Sequence, residues 1–415
     1  MRVCIHRGSK EIGGSCVEVE SQGQRLLIDF GLPLEAKEDK SRYLPAISGL
    51  DGKDSSLLGI LISHPHLDHY GLLAHVSPEI PVGMGAAARR VLAAAHPFMS
   101  CNWQIPHRGW SYQSERSFDV GPFRITPLLV DHSAYDAYAF LIESEGKKIF
   151  YSGDFRSHGR KSALFERLIA KTPKDIDALL LEGSSLGRLA SDQRFQTEKE
   201  IESELARVLS STDGLALVHT SGQNIDRIVS IYRASIKTGR KLVIDLYTAA
   251  VLEATENNNI PQSAWPDVVL FIPHAQRIMI KKNAWFSLLD RHSVNRIYIE
   301  NLSDAPQKST LLFRPLHMRD LEIGKCLAGA AYIYSQWDGY WEQGSYDRVK
   351  NWIELHSVPK MSIHTSGHAS VIDLKRFAAA INPLKIIPIH SFLPNLYFEI
   401  FQNVEMHDDG EWWEV

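Results

Sequence analysis

Apolar and polar positions change rhythm along this chain. Through the first 185 residues, short apolar or alternating runs recur: Arg2 to His6, Cys16 to Glu20, Arg25 to Phe30, Leu58 to Ser63, Phe123 to Leu129, Tyr138 to Ser144, Lys148 to Tyr151 and Ala178 to Leu181. Runs of this length, bounded by Gly, Asp and Ser, predict strands. Helical spacing is sparse there and clearest over Gly85 to Ala95. Many strands with few helices predict an α/β domain of mixed sheets packed face to face.

After Gly187 strands and helices alternate. The pattern predicts helix Thr197 to Leu209, strand Leu215 to His219, helix Ile225 to Lys237, strand Lys241 to Asp245 and helix Thr248 to Glu256. Such alternation is that of a doubly wound parallel sheet. Pro261 and Pro266 mark Asn257 to Asp267 as an exposed loop. One helix is expected around Ala275 to Leu289, a strand at Ala331 to Tyr334 and a helix at Tyr346 to Leu355. From Met361 to Ile389 the pattern returns to strand, turn, helix and strand. The expected organisation is therefore a first domain over 1–185, an insertion over 186–360 and a completing segment over 361–415.

Composition narrows the class. With 44% apolar and 23% charged residues and a net charge of -4, the chain reads as an ordinary globular protein and not a generally basic one. Cys4, Cys16, Cys101 and Cys326 lie far apart with no C-x-x-C pair, which predicts reduced thiols and a cytoplasmic location. The start, MRVCIHRGSK, lacks a signal-peptide core, and no apolar stretch is long enough to span a bilayer.

The candidate chemistry begins at Ser63 to Gly71, S-H-P-H-L-D-H-Y-G, which sets three histidines and an aspartate within His64 to His69. Imidazoles and carboxylates are ligands for Zn, Mn and Fe, and burying four of them on one turn is costly unless a cation holds them. Extended geometry turns His64 and His66 one way and leaves Asp68 and His69 to reach another, which suits two neighbouring metals. Further acids and histidines close apolar strands: Asp29, His132, Asp154 and His390. Strand ends are where α/β folds place ligands. Each of these taken alone is also explained as a turn or cap residue.

Taken together, these motifs resemble the β-CASP nucleases of the metallo-β-lactamase superfamily, and among them the ribonuclease J group. The resemblance covers nearly the whole chain. It runs from the glycine turn KEIGG (Lys10 to Gly14) through Asp29, His64-x-His66-x-Asp68-His69, His132, Asp154 and Glu182 to HTSGHAS and PIHSF. It implies an αββα sandwich interrupted by an inserted doubly wound β-CASP domain. It also implies a site: His64, His66 and His132 on one metal, Asp68, His69 and His390 on a second, and Asp154 bridging them. Asp29 would orient a ligating histidine. His368 would be the general acid, held by Glu182. Two departures stand out. Ser391-Phe392 follows His390 where ribonuclease J has Gly-Glu, and only 25 residues follow His390 where that group carries an extension used for assembly. No oligomeric state is implied.

The expected cofactors are two divalent cations, with zinc or manganese suiting the donors. They would make water a nucleophile near neutral pH and favour an anionic substrate. Two strand-to-helix turns, Ser366-Gly367 and Ser221 to Asn224, offer backbone amides to phosphates, with His364 near the first; helix capping explains the same residues. Arg227, Arg240 and Lys241 are read as a solvated surface or the lining of a strand path. Trp337, Tyr340 and Trp341 either stack bases or pack a core. The expected activity is hydrolysis of single-stranded RNA, within the chain or from its 5′ end. In the resembled group a histidine at the place of His390 goes with RNA. The alternatives are a DNA nuclease, a small-molecule ester or phosphodiester hydrolase, and a partner subunit without catalysis.

Overall fold

The computed structural model describes residues 1–36, 40–99 and 108–415. Cys101 lies outside them. Cys4, Cys16 and Cys326 are free and buried. Contacts divide the chain into two units: Met1–His96, Ser100–Phe195 and Gly367–Val415 form the first, and Pro97–Met99 with Gln196–Ser366 the second.

The first unit holds two mixed sheets. One runs, edge to edge, through Trp412–Glu414, Arg2–Arg7, Cys16–Ser21, Gln24–Ile28, Leu57–Leu61, Val82–Gly85 and Ser111–Tyr112. The other runs through Lys385–Ile389, Ala178–Glu182, Lys147–Tyr151, Ala137–Ser144, Phe123–Val130 and Phe118–Val120. Alternation explains how they meet. Val3, Ile5, Val17, Val19, Leu26 and Ile28 of one sheet share a core with Phe123, Phe140, Ile149, Tyr151 and Leu180 of the other. Each large side chain buried there contributes about 1.5–3 kcal/mol relative to exposure.

Residues of opposite parity face outward and are covered by helices. Phe150 and Leu179 pack with Phe165 and Leu168 of helix Ala163–Ala170 and with Leu374 and Phe377 of helix Val371–Ile381. Leu27 and Ile60 pack with Ala88 and Leu92 of helix Ala86–Ala95. The layers are helix, sheet, sheet, helix, the expected αββα sandwich.

Topology then decides where chemistry can sit. Gln24–Ile28 pairs in parallel with Leu57–Leu61, and Lys147–Tyr151, Ala178–Glu182 and Lys385–Ile389 are mutually parallel. Phe123–Val130 points the same way, two antiparallel pairings removed from Lys147–Tyr151. Within each sheet, therefore, the carboxyl ends of these strands share one edge. Asp29, His64, His132, Asp154, Glu182 and His390 lie on or just after those ends.

The second unit is one parallel sheet, ordered Arg296–Ile297, Val268–Phe271, Lys241–Ile244, Ser309–Phe313, Ala216–His219, Ala331–Tyr334 and Lys360–Ser362. It is the doubly wound sheet expected, with differences. Val268–Phe271 and Ser309–Phe313 were not foreseen. They are buried on both faces, so they lack the alternation that marks a half-exposed strand. Lys360–Ser362 pairs with Ala331–Tyr334, and the chain leaves this unit after Ser366 rather than after residue 360. The expected single helix over Ala275 to Leu289 is two, His274–Asn283 and Phe286–His292. Ala284 turns left-handed (φ 53°), and the amides of Ala284 and Trp285 both donate to the Ile280 carbonyl, closing the first helix.

Two expectations for arginines are corrected. Arg227 is fully buried, paired to Glu198 at 2.9 Å and bonded to Ser335 Oγ at 2.5 Å. Arg240 is buried and donates to the carbonyls of Leu209, Thr212, Gly214 and Ser309. Their planar forks satisfy strand and helix termini that would otherwise be orphaned, and neither lines a surface. Lys241 is exposed.

Candidate metal centre

The segment after Leu57–Leu61 turns at once into a short helix, Leu67–Tyr70, with His66 at its N-terminal boundary. That break splits the ligands. His64 and His66 gather with His132, whereas Asp68 and His69 gather with Asp154 and His390; within each group the ligand atoms lie within 4.8 Å of one another. Glycine makes the tight approach feasible: a Cβ on Gly31 would stand 1.8 Å from the Asp68 carbonyl oxygen.

Asp154 Oδ2 lies between the groups. It is 3.7 Å from His64 Nε2, 3.2 Å from His69 Nε2 and 3.6 Å from His390 Nε2. His132 Nε2 is 3.2 Å from His66 Nδ1, and Asp68 Oδ2 is 3.8 Å from both His69 Nε2 and His390 Nε2. All seven expected ligands thus converge.

Hydrogen bonds turn the rings' donor atoms inward. His132 Nδ1 donates to the Gly367 carbonyl at 2.6 Å. His69 Nδ1 donates to Asp29 Oδ2 at 2.7 Å. Ser63 Oγ donates to Asp29 at 2.8 Å and stands 3.0 Å from His64 Nδ1, whose proton it accepts. Ser15 Oγ stands 2.9 Å from His390 Nδ1, and the Gly13 amide donates to the same nitrogen at 3.3 Å. Asp29 also accepts from the Ser63 amide and from Tyr151 Oη, both at 2.7 Å. It therefore orients one histidine of each group, a wider role than the single ligand anticipated. Partners of this kind commonly tune metal affinity 10–100-fold. Asp29→Asn is accordingly expected to weaken metal retention about 10–100-fold in a chelator competition. Unchanged retention would remove this role.

Charge supports metal binding. Burial pushes His64 and His132 well below the usual imidazole range and His66 to about 4, so all three are neutral lone-pair donors. Burial likewise lowers His390. For His69 burial acts in the same direction, but the carboxylates of Asp154, Asp29 and Asp68 outweigh it and raise the group. Burial would raise Asp154, yet His390, His69 and His368 hold it well below the carboxylate range. The buried Nε2 atoms of His64 and His390 have no hydrogen-bond partner among the described residues. Buried polar atoms without partners, converging with carboxylates, are the donor set of a divalent cation.

Glu182 ends its strand beside this centre. His368 Nδ1 lies 3.2 Å from Glu182 Oε2 and 3.7 Å from Asp154 Oδ2. Burial opposes the charged form of His368, but Glu182 and then Asp154 outweigh it and raise the group. Glu182 is itself fixed by the amides of Phe155 and Ser184.

The phosphate candidates make local contacts. Asn224 caps helix Ile225–Lys237 by accepting from the Arg227 amide, and Ser221 Oγ accepts from the Gln223 amide. His364 Nδ1 stands 3.5 Å from Arg227 Nη1. The cap of helix Val371–Ile381 is Ser370, four residues beyond Ser366, and Gly367 spends its carbonyl on His132.

Several contributors went unnoticed in the sequence. Ser63, Ser15 and the Gly367 carbonyl hold ligands and Tyr151 holds Asp29; of these only Ser63, adjacent to His64, carried a local signal. Asp131 and Arg156 are both fully buried and joined by two bonds, Arg156 N to the Asp131 carbonyl (2.7 Å) and Nε to Oδ1 (3.2 Å). They tie the strand end bearing His132 to that bearing Asp154. Arg156→Met removes the cation from a buried carboxylate and is expected to cost about 3–5 kcal/mol, read as a shift of the urea unfolding transition. A change below ~1 kcal/mol would contradict the clamp.

The chain is thus an αββα sandwich interrupted by a second unit, with groups that could hold metal ions at its strand ends. Residues 24–202 match the Beta-lactamase superfamily domain. The chain is 21% identical to ribonuclease J of Sinorhizobium meliloti over 88% of its own length and 64% of the relative's. It is 20% identical to ribonuclease J of Mycoplasma pneumoniae over 92% and 66%. It thus spans just under two thirds of these relatives. A crystal structure of a protein of unknown function from Enterococcus faecalis V583 superposes with a TM-score of 0.77 at 20% identity, covering 99% of each chain. Over these spans the chain is similar to ribonuclease J proteins and, across residues 24–202, to the Beta-lactamase superfamily domain.

Proposed function

We propose that this protein is a metal-dependent nuclease that hydrolyses phosphodiester bonds of RNA. The observation that carries the proposal is the convergence of seven ligand side chains, Asp154 among them, with the His368–Glu182 pair alongside. Two divalent cations, zinc or manganese, would supply Lewis acidity for a phosphoryl oxygen and for the attacking water. His64, His66 and His132 would hold one, Asp68, His69 and His390 the other, and Asp154 both.

The remaining work falls to the chain's own groups. Among the ligands only Asp68 and Asp154 are anionic, so the loaded site keeps net positive charge and attracts a phosphodiester. Water oxygen bonds to phosphorus, losing one proton to solvent, as the phosphorus–O3′ bond breaks. His368 gives its proton to the departing 3′ oxygen, and Glu182 holds the imidazole by Nδ1 so that its other nitrogen delivers the proton. His368 is reprotonated from solvent afterwards. One fragment ends in a 3′ hydroxyl and the other in a 5′ phosphate.

The test is digestion of 5′-labelled and 3′-labelled single-stranded RNA beside DNA of the same sequence. Metal-dependent cleavage of RNA over DNA is expected. Internal fragments would identify endonucleolytic cutting, and mononucleotides released from the 5′ end the exonucleolytic mode. A preference for DNA, or no cleavage of either, would overturn the proposal. The names of the ribonuclease J relatives favour RNA. No helix among the described residues is long and apolar enough to cross a membrane.

A further inference from the structure

Beyond the strand Ala331–Tyr334, at the carboxyl edge of the inserted sheet, the segment Ser335 to Tyr346 folds into an aromatic knuckle. Trp341 is its base, packed on Tyr334 (5.0 Å between ring centroids), Tyr346 (5.7 Å) and Tyr332 (5.8 Å). Trp337 and Tyr340 stand differently. They are 36% and 37% exposed, and their rings meet edge to face at 5.2 Å.

Trp337 is held in place. Its carbonyl accepts from Tyr334 Oη at 3.1 Å, and its indole lies against Gly339, where a Cβ would come within 2.4 Å of the ring. Only glycine leaves room for that ring. The arrangement fixes an exposed indole before any ligand arrives, which lowers the ordering cost of binding.

Cations flank the aromatics. Lys360 Nζ lies 4.5 Å from the centre of the Trp341 ring and Lys350 Nζ 5.9 Å. Asp347 sits 3.1 Å from Lys350, and Asp338 holds Ser362 at 3.2 Å. Local charges therefore nearly balance. Fixed aromatic faces with little net charge bind chemistry that stacks, and nucleobases of an unpaired strand stack on Trp and Tyr whatever their sequence.

We propose that Trp337 and Tyr340 form a base-stacking subsite of the inserted domain for single-stranded RNA. This deepens the nuclease reading and rests on it for the choice of RNA. The subsite belongs to the second unit of the chain and the metal centre to the first. Because stacking rather than charge dominates, affinity due to this patch falls only weakly with salt.

The experiment uses the full chain carrying Asp154→Asn, so that the probe is not cut. A fluorescein-labelled unstructured RNA 12-mer is titrated and anisotropy gives Kd; Trp337→Ala/Tyr340→Ala is compared with Trp337→Phe/Tyr340→Phe. The alanine pair is expected to raise Kd at least ~10-fold, the size of a lost stack, and the phenylalanine pair less than ~3-fold. With Asp154 restored, kcat/KM on the 12-mer should fall by the same factor for the alanine pair and by less than ~3-fold for the phenylalanine pair. A 12-mer Kd unmoved by the alanine pair would overturn the subsite, as would a change in oligomeric state by sedimentation, which would make the knuckle a contact between copies. Sensitive binding without any cleavage by the native chain would instead sink only the nuclease proposal.

Discussion

Asp154→Asn is expected to lower the rate of RNA cleavage by at least ~10³-fold, equivalent to about 4 kcal/mol of transition-state stabilisation. Its carboxylate oxygen lies within 3.7 Å of His64, His69, His390 and His368, so it is near histidines of both groups. The amide replacing it has the same shape, so packing survives. What is lost is the negative charge that would bridge two cations and, with Asp68, offset them. Metal content should fall in the same variant, measured as bound ions per chain after dialysis. Cleavage within tenfold of the native rate, with metal retained, would mean that Asp154 is not the bridge.

His368→Gln separates chemistry from metal binding. His368 sits outside both ligand groups, touching Glu182 and Asp154. Losing a positioned proton donor is expected to reduce kcat by ~10²–10⁴-fold with KM and metal content little changed. Glu182→Gln should act in the same direction by a smaller factor, since it removes the group that orients the imidazole but leaves the imidazole in place. Replacing the 3′ oxygen by sulfur gives a leaving group that needs no proton, and the His368 variant should then recover most of its deficit. A deficit equally deep on both substrates would show that His368 serves metal binding or folding and not proton delivery.

The two domains differed in how plainly the sequence announced them. In the sandwich, strands have one face inward and one under a helix, so Phe123–Val130 and Ala137–Ser144 show their boundaries through regular spacing. Two strands of the inserted sheet, Val268–Phe271 and Ser309–Phe313, are buried on every side and show no such alternation. The same contrast holds at the metal centre. Ligands announce themselves because imidazole and carboxylate at strand ends are hard to explain otherwise. The groups that aim them do not, because a serine hydroxyl at Ser15, a tyrosine at Tyr151 and a backbone carbonyl at Gly367 are chemically ordinary until distance gives them a partner. Arg227 and Arg240 failed for the converse reason: a charged residue is usually solvated, and only the fold reveals the carboxylate or carbonyls that permit burial.

Metal stoichiometry probes the centre most directly. Purified chain, dialysed free of loose ions and analysed by mass spectrometry of the elements, should carry two divalent cations. His66→Ala and His390→Ala should each reduce that number to about one, because each removes a ligand from a different group. A native chain with no bound metal, or one whose single ion is indifferent to both substitutions, would contradict a two-cation centre.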